Sequence, residues 1–286
     1  MKKLILLCAS VTIFSMLVPL NADSISTRID LGNITFVSIS GIGDLYITQG
    51  EINSLNIEAS NQETLDSVSV SQEGNELSLN CESADDRTIF DKFLGFLSLE
   101  RDSNVVYHLT LKSLNKLNSN GTGKVFIAGL KTDNLYIINN GVGDLSSKNL
   151  TLEKLTFINN GVGSVVLSFN SLSVVKYAII DLSGAGSFEI SQLNVDTLQL
   201  TMTGAGKVSV SGKAKNQMLI LNGVGNYDSS SFFAEQTELT KNNFGSASIN
   251  TQRLTVDMNG LGSVDVSGSP KIDIKHKSGM GRINIL

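Results

Sequence analysis

Tryptophan is absent from this chain of 286 residues, and proline and cysteine occur only twice each. Cys8 lies in an N-terminal segment that we expect to be removed, so Cys81 would remain alone and no intramolecular disulfide could form. Aromatic residues make up 6% of the sequence, whereas it contains 26 glycines. This balance is typical of a turn-rich all-β protein that is held together by packing and backbone hydrogen bonds.

Clusters of one charge sign are also missing. The formal net charge is −5 and the charged residues are scattered along the chain, which argues against nucleic acids and anionic membranes as partners. About 260 residues would remain after removal of the N-terminal segment, enough for one large domain or a tandem of two.

Residues 1–22 are typical of a signal peptide. Lys2 and Lys3 form a basic start, and an apolar stretch over residues 4–20 precedes Asn21 and Ala22. The stretch is short for a membrane span and no stop-transfer cluster follows it, so we expect cleavage near residue 22 and no membrane span afterwards. An uncleaved anchor is the alternative. The expected location is outside the cytoplasm: the periplasm, the outer surface or the medium.

The informative feature that is present is a Gly-x-Gly step, which occurs ten times. From Gly121 onward the first glycines of successive steps lie 17 to 23 residues apart. All copies have the second glycine, and Asn243 replaces the first in one of them. The glycines of these steps are Gly41, Gly43, Gly121, Gly123, Gly141, Gly143, Gly161, Gly163, Gly184, Gly186, Gly204, Gly206, Gly223, Gly225, Gly245, Gly260, Gly262, Gly279 and Gly281. A period near twenty predicts short coils of chain stacked on one another, with the steps as structural corners.

The copies can be aligned on the first glycine, which we number position 0. Because asparagine tolerates the left-handed backbone region, Asn243 suggests that position 0 needs a positive φ. Position +2 would need either a positive φ or the absence of a Cβ. The residue between the glycines, position +1, is nearly always apolar, and we expect it to point inward.

Apolar residues also recur at positions −4, +4 and +6, with mostly polar residues at +5, which is the alternation of a strand with one buried face. Lys275 interrupts the −4 column only in the last copy, where an end coil would face solvent. The predicted fold is an all-β parallel β-helix of coils of about twenty residues, with equivalent positions in ladders. The asparagine, serine or threonine before each corner would form a polar ladder.

The segment between residues 50 and 116 departs from the repeat. It predicts short antiparallel strands with a turn at Gly74-Asn75, and a helical insertion over residues 85–102. The apolar residues at helical spacing in this insertion are Ile89, Phe90, Phe93, Leu94 and Leu97. The insertion would be a lid over one end of the β-helix, or an apolar surface that contacts a partner or lipid. We therefore expect an N-terminal β region at 23–118 and a repeat region at 119–286, with one continuous domain as the alternative.

Three features of the sequence resemble the bacterial GIN-domain family. They are the opening segment 34–50, the run of S/N-G-x-G units, and the ending Gly268-Ser269-Pro270-Lys271 before Ser278. This family is described as an adhesin head domain of the autotransporter type. The resemblance covers the chain from about residue 33 onward and implies an extracytoplasmic β-helix. The insertion at 85–102 departs from the family pattern. No series of ten-residue amphipathic strands follows, so an autotransporter in the strict sense is not supported.

The sequence shows no catalytic constellation. No step continues as G-x-G-x-x-G into a helix, and no column of carboxylates repeats as calcium binding would require. His108 and His276 stand in separate strands without a ligand partner. The acidic residues that would serve an enzyme on a β-helix fall at differing repeat phases: Asp133, Glu153, Asp181, Glu189, Asp196, Asp228, Asp257 and Asp265. We expect no catalytic, cofactor-binding or metal site.

The favoured function is therefore a non-enzymatic, exported interaction module of the cell envelope that binds a glycan or a protein along its strand faces. One alternative is a carbohydrate-active enzyme with an unrecognised carboxylate pair. The other is a purely structural periplasmic domain whose insertion at 85–102 contacts a partner.

Overall fold

The protein is a β-solenoid in its computed structural model, which describes residues 24–81 and 105–286. The described residues are 72% strand and 2% helix and form about 8 turns with coils of about 20 residues. The predicted all-β class and β-helix are confirmed. The signal peptide predicted at 1–22 and the helical insertion predicted at 85–102 lie outside the described residues, as do Ile89, Phe90, Phe93, Leu94 and Leu97.

The elements follow one another in short units. In chain order they are β1 Ile25–Asp30, β2 Phe36–Gly41, β3 Asp44–Gln49, β4 Ser54–Ala59, α1 Gln62–Asp66, β5 Val68–Glu73, β6 Glu76–Cys81, β7 Val105–Leu111, β8 Lys116–Ser119, β9 Val125–Ala128, β10 Asn134–Asn139, β11 Leu145–Leu150, β12 Lys154–Asn159, β13 Val162–Phe169, β14 Val175–Leu182, β15 Ala185–Met202, β16 Ala205–Leu221, β17 Val224–Lys241, β18 Ala247–Thr251, β19 Arg253–Met258, β20 Ser263–Ser267, β21 Lys271–Lys277 and β22 Arg282–Ile285.

Two stacks of parallel strands meet at the Gly-x-Gly corners. The stack before the corner runs β6, β2, β8, β10, β12, β14, then through the C-terminal halves of β15, β16 and β17 to β19 and β21. The stack after the corner runs β7, β3, β9, β11, β13, then through the N-terminal halves of β15, β16 and β17 to β18, β20 and β22. Each coil therefore pairs with the coils on either side of it.

The register places equivalent repeat positions opposite one another. Ile137 at position −4 lies opposite Leu117 and Phe157, and all three are fully buried. Leu145 at position +4 likewise lies opposite Val125 and Val165. These aligned apolar columns form one continuous core along the solenoid, as the alternation of the sequence predicts.

The prediction that Lys275 occupies the last place in the −4 column is wrong. The register shifts between Val256 and Asp257, so that Ile274 lies opposite Val256 and His276 opposite Asp257. Lys275 is the extra residue of this irregularity and is exposed. A β-bulge thus keeps an apolar residue in the column and turns the lysine to solvent.

The first strands form an antiparallel cap on the parallel stacks. β1 pairs with β4 and β4 with β7 in antiparallel fashion, while β5 and β6 form a hairpin whose turn includes Gly74. The predicted hairpin is confirmed. Sequence reasoning missed two features: β6 and β7 run parallel to β2 and β3 as an additional coil, and the short helix α1 begins after Asn61, whose side chain accepts a hydrogen bond from the Thr64 amide.

The sheet is continuous through residue 118, where the sequence suggested a boundary. Strand β8 spans that position and pairs with β2 on one side and β10 on the other. The first coil and the repeat region therefore share one core.

In five of the ten repeats a second bend lies eight residues after the first position of the step. Residues at this position have positive φ in several coils, namely Gly129, Asn149, Gln192, Gly212 and Gly268. In two of these coils the strand pairing also shifts nearby, between Ser147 and Leu150 and between Ile190 and Leu193. The residue type varies between glycine, asparagine and glutamine, so this bend leaves no recurring motif.

Candidate binding surfaces

Close stacking of the coils explains the glycines of the corner. At position +2, Gly163 has φ +143°, and a Cβ built on it would lie 2.1 Å from the carbonyl oxygen of Gly143 in the neighbouring coil. At position 0, a Cβ on Gly161 would lie 2.3 Å from the oxygen of Gly141. Real Cβ atoms do not approach an oxygen so closely, so any side chain here would force neighbouring coils apart.

The prediction of a positive φ at position 0 is wrong for most copies. Among these residues only Gly41 and Gly279 have positive φ, and Asn243 does not. Position 0 therefore favours glycine because a Cβ there would face the neighbouring coil, and not because the backbone needs a positive φ. Asn243 is nevertheless accommodated there, and its Nδ2 donates to the Gly225 oxygen at 3.0 Å.

The prediction that position +1 points inward is also wrong. Val162, Val224 and Phe244 are 45%, 58% and 61% exposed. The backbone N–H and C=O groups of the corner bond to the coils on either side, as in a pleated strand. The side chain at position +1 therefore points to solvent. We call the column of paired +1 residues the corner ridge; it comprises Ile42, Thr122, Val142, Val162, Ala185, Ala205, Val224, Phe244 and Leu261.

A ladder of uncharged polar side chains lies beside the corner ridge, at position −1. Asn140 Nδ2 donates to Asn120 Oδ1 at 2.7 Å, and Asn160 Nδ2 donates to Asn140 Oδ1 at 2.8 Å. Asn242 donates to Asn222 in the same way at 3.0 Å. These bonds confirm the predicted polar ladder, in which each amide is held by the coils next to it.

Position +3 borders the ridge on its other side. Asp44 Oδ1 accepts a hydrogen bond from the Lys124 amide at 2.7 Å, and Asp144 Oδ1 accepts one from the Ser164 amide at 2.9 Å. Asp44 and Asp144 are the two acidic residues that directly follow a step in the sequence, and each bonds the backbone of the neighbouring coil. Within residues 24–81 and 105–286, no group of three or more His, Cys, Asp or Glu side chains could hold a metal ion.

Beneath the corner, position −2 forms an inward column that is polar in part. Asn139 and Asn159 are buried, and Asn139 Nδ2 donates to Asn159 Oδ1 at 2.7 Å. Lys241 is fully buried at the same position, and its Nζ donates to the carbonyl oxygens of Leu261 at 2.7 Å and Asn243 at 3.3 Å. Burial lowers the pKa of Lys241, since removal from water disfavours the ammonium form.

An aromatic cluster lies on the outer face of the stack after the corner. The rings of Tyr46 and His108 are stacked with centroids 5.4 Å apart, and the Phe126 ring lies 6.2 Å from that of Tyr46. Lys148 Nζ lies 5.6 Å from the centre of the Phe126 ring. The cluster forms because β7, β3 and β9 are adjacent and place these three residues at one outward register position.

A groove of about 300 Å³ opens beside this cluster. We call it the aromatic groove; it is lined by Tyr46, Phe126, Lys124, Asp144, Ser146 and Ser164, among others. It combines two aromatic rings with an ammonium group, a carboxylate and two hydroxyls. Such a combination of apolar surface and a few convergent polar groups is typical of sites that bind small molecules.

Sequence reasoning missed the aromatic groove, although part of the signal was present. Tyr46 and Phe126 occupy position +5 in the first two copies of the step, where later copies have mostly polar residues. His108 belongs to β7, whose coil has no Gly-x-Gly step, so the alignment could not include it. His108 is exposed, as expected of a surface strand residue, and its Nε2 lies 3.6 Å from Glu58 Oε1.

Three of the acidic residues considered for an enzyme, Glu153, Asp196 and Asp228, have local partners. Lys176 Nζ lies 2.6 Å from Glu153, and Lys215 Nζ lies 2.7 Å from Asp196. Hydrogen bonds from the side chain and amide of Ser230 lower the pKa of Asp228. Cys81 is buried, and its Sγ lies 3.4 Å from the Ser67 hydroxyl.

The comparison with protein families agrees with this architecture. The model of the family described as "Putative auto-transporter adhesin, head GIN domain" matches residues 34–171 and again residues 172–270. The chain belongs to the GIN-domain family. The resemblance found in the sequence is thereby confirmed.

Solved structures share the GIN-domain fold at low sequence identity. A "putative adhesin" from Bacteroides fragilis has 21% identity and a TM-score of 0.53, and covers 93% of this chain and 98% of its own. A "putative lipid binding protein" from Parabacteroides distasonis has 18% identity and a TM-score of 0.61, with the same coverage. A "putative adhesin" from Parabacteroides merdae has 12% identity and a TM-score of 0.56, and covers 93% and 97%. No curated protein matches the chain.

The GIN-domain family and two of these three structures are described as adhesins and none as an enzyme. Family membership fits an exported or cell-surface protein. In the part of the chain that the structure describes, no helix has the length and apolar character needed to span a membrane.

Proposed function

We propose that this GIN-domain protein is an exported, non-catalytic adhesin-like module that holds an extended cell-envelope ligand along its corner ridge. The observation that carries the proposal is the ridge itself, a column of mostly apolar side chains, half-buried to exposed, that passes from coil to coil between Ile42 and Leu261. An exposed apolar strip of this length is unusual on a soluble surface and is typical of interaction sites.

The residues on one side of the ridge, at position −1, suit an extended and uncharged ligand surface. The ladder at position −1 carries amides and hydroxyls only, from Asn120 to Ser278. Its polar side chains recur once per coil, at the spacing of adjacent parallel strands, and bond as amide pairs or hydroxyl pairs in several coils. A ligand lying along the ridge would therefore meet the same weak contact many times, and repeated weak contacts add up to firm attachment.

The test is binding of the full-length protein to intact bacterial cells and to envelope extract, followed by a ridge variant. Val224→Asp and Phe244→Asp together place two charges at exposed, paired ridge positions. We expect this variant to lose about tenfold or more in cell binding, because a charge on an apolar contact must be desolvated. Its urea midpoint should stay near that of the wild type, since both side chains are exposed.

The matched control places the same two charges on another face of adjacent coils. Asn216 and Gln236 are exposed and paired, so Asn216→Asp with Gln236→Asp adds equal charge at equal spacing. The control should bind cells as the wild type does. Absence of wild-type binding to cells and extract, or equal losses in both double variants, would contradict the proposed role of the ridge.

A further inference from the structure

The aromatic groove joins ring faces to polar groups of both charge signs. Lys124 and Asp144 occupy position +3 in adjacent coils and line the same groove, together with the hydroxyls of Ser146 and Ser164. Lys124 and Asp144 are the charged residues of the lining and have opposite signs, so the lining itself gives little advantage to a ligand with a net charge. A neutral ligand that offers both hydrogen-bond donors and acceptors suits it best.

The ring faces narrow the ligand class further. Tyr46 and Phe126 line the groove with ring centroids 6.2 Å apart and ring planes tilted by 57°, and the faces of such rings attract the slightly positive hydrogens of C–H groups. A pyranose sugar has a flat patch of C–H groups on one face and hydroxyls around its rim. From this match we infer that the aromatic groove is a subsite for a neutral sugar unit of a glycan.

The surrounding strands exclude an extended peptide bound by strand addition. β3, β9 and β11 each pair with a strand on both sides, so no backbone edge is free at the groove. The volume of about 300 Å³ is at the lower limit for small-molecule pockets. It fits one sugar ring, or two at most, with the rest of a glycan lying over the mostly polar +5 column of later coils.

This inference rests on the proposed function, because it names the ligand class of the same exported surface module. The corner ridge and the aromatic groove share the border at position +3, where Lys124 and Asp144 stand. A glycan chain that contacts the groove can therefore continue onto the ridge. The two proposals are nevertheless separable, since their side chains are different.

The first experiment measures binding of the full-length protein to immobilised neutral hexasaccharides of glucose, mannose, galactose, xylose and N-acetylglucosamine, with oligogalacturonate as an anionic comparison. We expect at least one neutral hexasaccharide to bind and oligogalacturonate to bind more weakly. Tyr46→Ala and Phe126→Ala should each weaken that binding about tenfold, as loss of an aromatic stacking contact would. Tyr136→Ala is the matched control, because Tyr136 is an outward ring on β10 of the other stack, near Lys116.

The second experiment uses the absence of tryptophan from the sequence. Phe126→Trp introduces one indole at the groove while it keeps an aromatic ring there. We expect its fluorescence to change saturably with the hexasaccharide that binds, at concentrations matching the wild-type affinity measured by calorimetry. Circular dichroism and urea midpoints of all variants show whether each remains folded.

Several outcomes would overturn the inference. They are binding of no neutral hexasaccharide, preference for oligogalacturonate, unchanged binding in the Tyr46→Ala and Phe126→Ala variants, or an equal loss in Tyr136→Ala. If the protein still binds cells and this binding depends on the ridge, but no neutral hexasaccharide binds, the sugar assignment is wrong and the proposed function stands. If the wild type binds a hexasaccharide but no cells, the proposed function fails instead.

Discussion

At the residue scale, the distance between neighbouring coils decides which side chains the corner tolerates. The built Cβ of Gly206 would lie 1.8 Å from the oxygen of Gly186, and that of Gly225 1.7 Å from the oxygen of Gly206. Those oxygens are fixed because each coil is bonded to the next. The glycines therefore serve the backbone, and the chemistry of the corner is carried by the residues between and beside them.

Replacing Gly206 by Ala should destabilise the protein far more than replacing a glycine that has only an unusual backbone angle. Gly129 is the control, since its φ is +63° and a Cβ there meets nothing within 4 Å. We expect Gly129→Ala to cost about 1 to 2 kcal/mol of unfolding free energy. Gly206→Ala should cost at least about 3 kcal/mol, because steric overlap is added to strain.

Urea unfolding followed by circular dichroism measures both glycine variants. Equal costs for Gly206→Ala and Gly129→Ala would show that close stacking is not what selects glycine at the corner. Gly206→Val should be worse than Gly206→Ala, since its larger side chain meets the same backbone oxygen.

Lys241 places an amine in the inward column beneath the corner, and burial of its charge lowers the stability of the fold. Its pKa is lowered by burial, so the protonated form is less favourable in the folded than in the unfolded protein. This penalty is absent above the unfolded pKa of about 10.4 and fully present below the folded pKa. The lysine therefore destabilises the fold at neutral pH relative to an apolar residue of similar shape.

Lys241→Met should accordingly stabilise the protein by about 1 to 3 kcal/mol at pH 7, with the gain shrinking as the pH approaches about 10.4. Methionine already occupies the equivalent position in the neighbouring coil, at Met258. Lys241→Ala is the control and should destabilise, because it leaves a cavity. A lower urea midpoint for Lys241→Met than for the wild type would show that the bonds to Asn243 and Leu261 outweigh the burial of charge.

At the element scale, strands are aligned by ion pairs within a column of charged residues as well as by apolar columns. Asp133, Glu153, Lys176, Asp196, Lys215 and Glu235 follow one another at the same register position in successive coils. The hydrogen bond that Lys176 donates to Glu153 raises the pKa of Lys176, and the one that Lys215 donates to Asp196 raises the pKa of Lys215. These pairs thus favour the observed register at neutral pH, and their contribution is lost as the pH rises through the raised pKa values of the lysines.

Lys215→Glu should lower the urea midpoint, because it places an acid between Asp196 and Glu235 in adjacent coils. The decrease in urea midpoint should be smaller at 1 M salt, where the Debye length is about 3 Å, than at 0.01 M salt, where it is about 30 Å. Lys213→Glu is the control, since Lys213 is exposed and lies opposite Asn194 and Phe233. A salt-independent loss, or one shared by both variants, would contradict the role of the charge column.

The elements also show what the sequence could predict. The apolar columns at −4 and +4 were predictable because burial leaves a recurring pattern, as at Ile137 and Leu145. The orientation of position +1 was not, because an exposed valine and a buried valine look alike in sequence. The second bend was missed because Gln192 and Asn149 adopt positive φ without a glycine.

At the scale of the whole molecule, the sequence predicted the rod but not its candidate sites. Repeats reveal what every coil shares, whereas the aromatic groove depends on Tyr46 and Phe126, two rings at a position where later coils are mostly polar. The aromatic cluster beside the groove also depends on β7 lying beside β3, although the two are separated by some sixty residues of chain. Local patterns therefore determined the stacking, and long-range pairing determined which side chains meet.

In-register stacking also bears on how such a rod can change over evolution. Its coils recur every 17 to 23 residues after Gly121, and the family model matches the chain twice in succession. Duplication or deletion of one whole coil would leave every remaining ladder aligned and would only lengthen or shorten the molecule by one strand spacing, about 4.8 Å. Recombination between repeats could thus adjust the reach of the ridge in fixed increments, without the invention of any new interface.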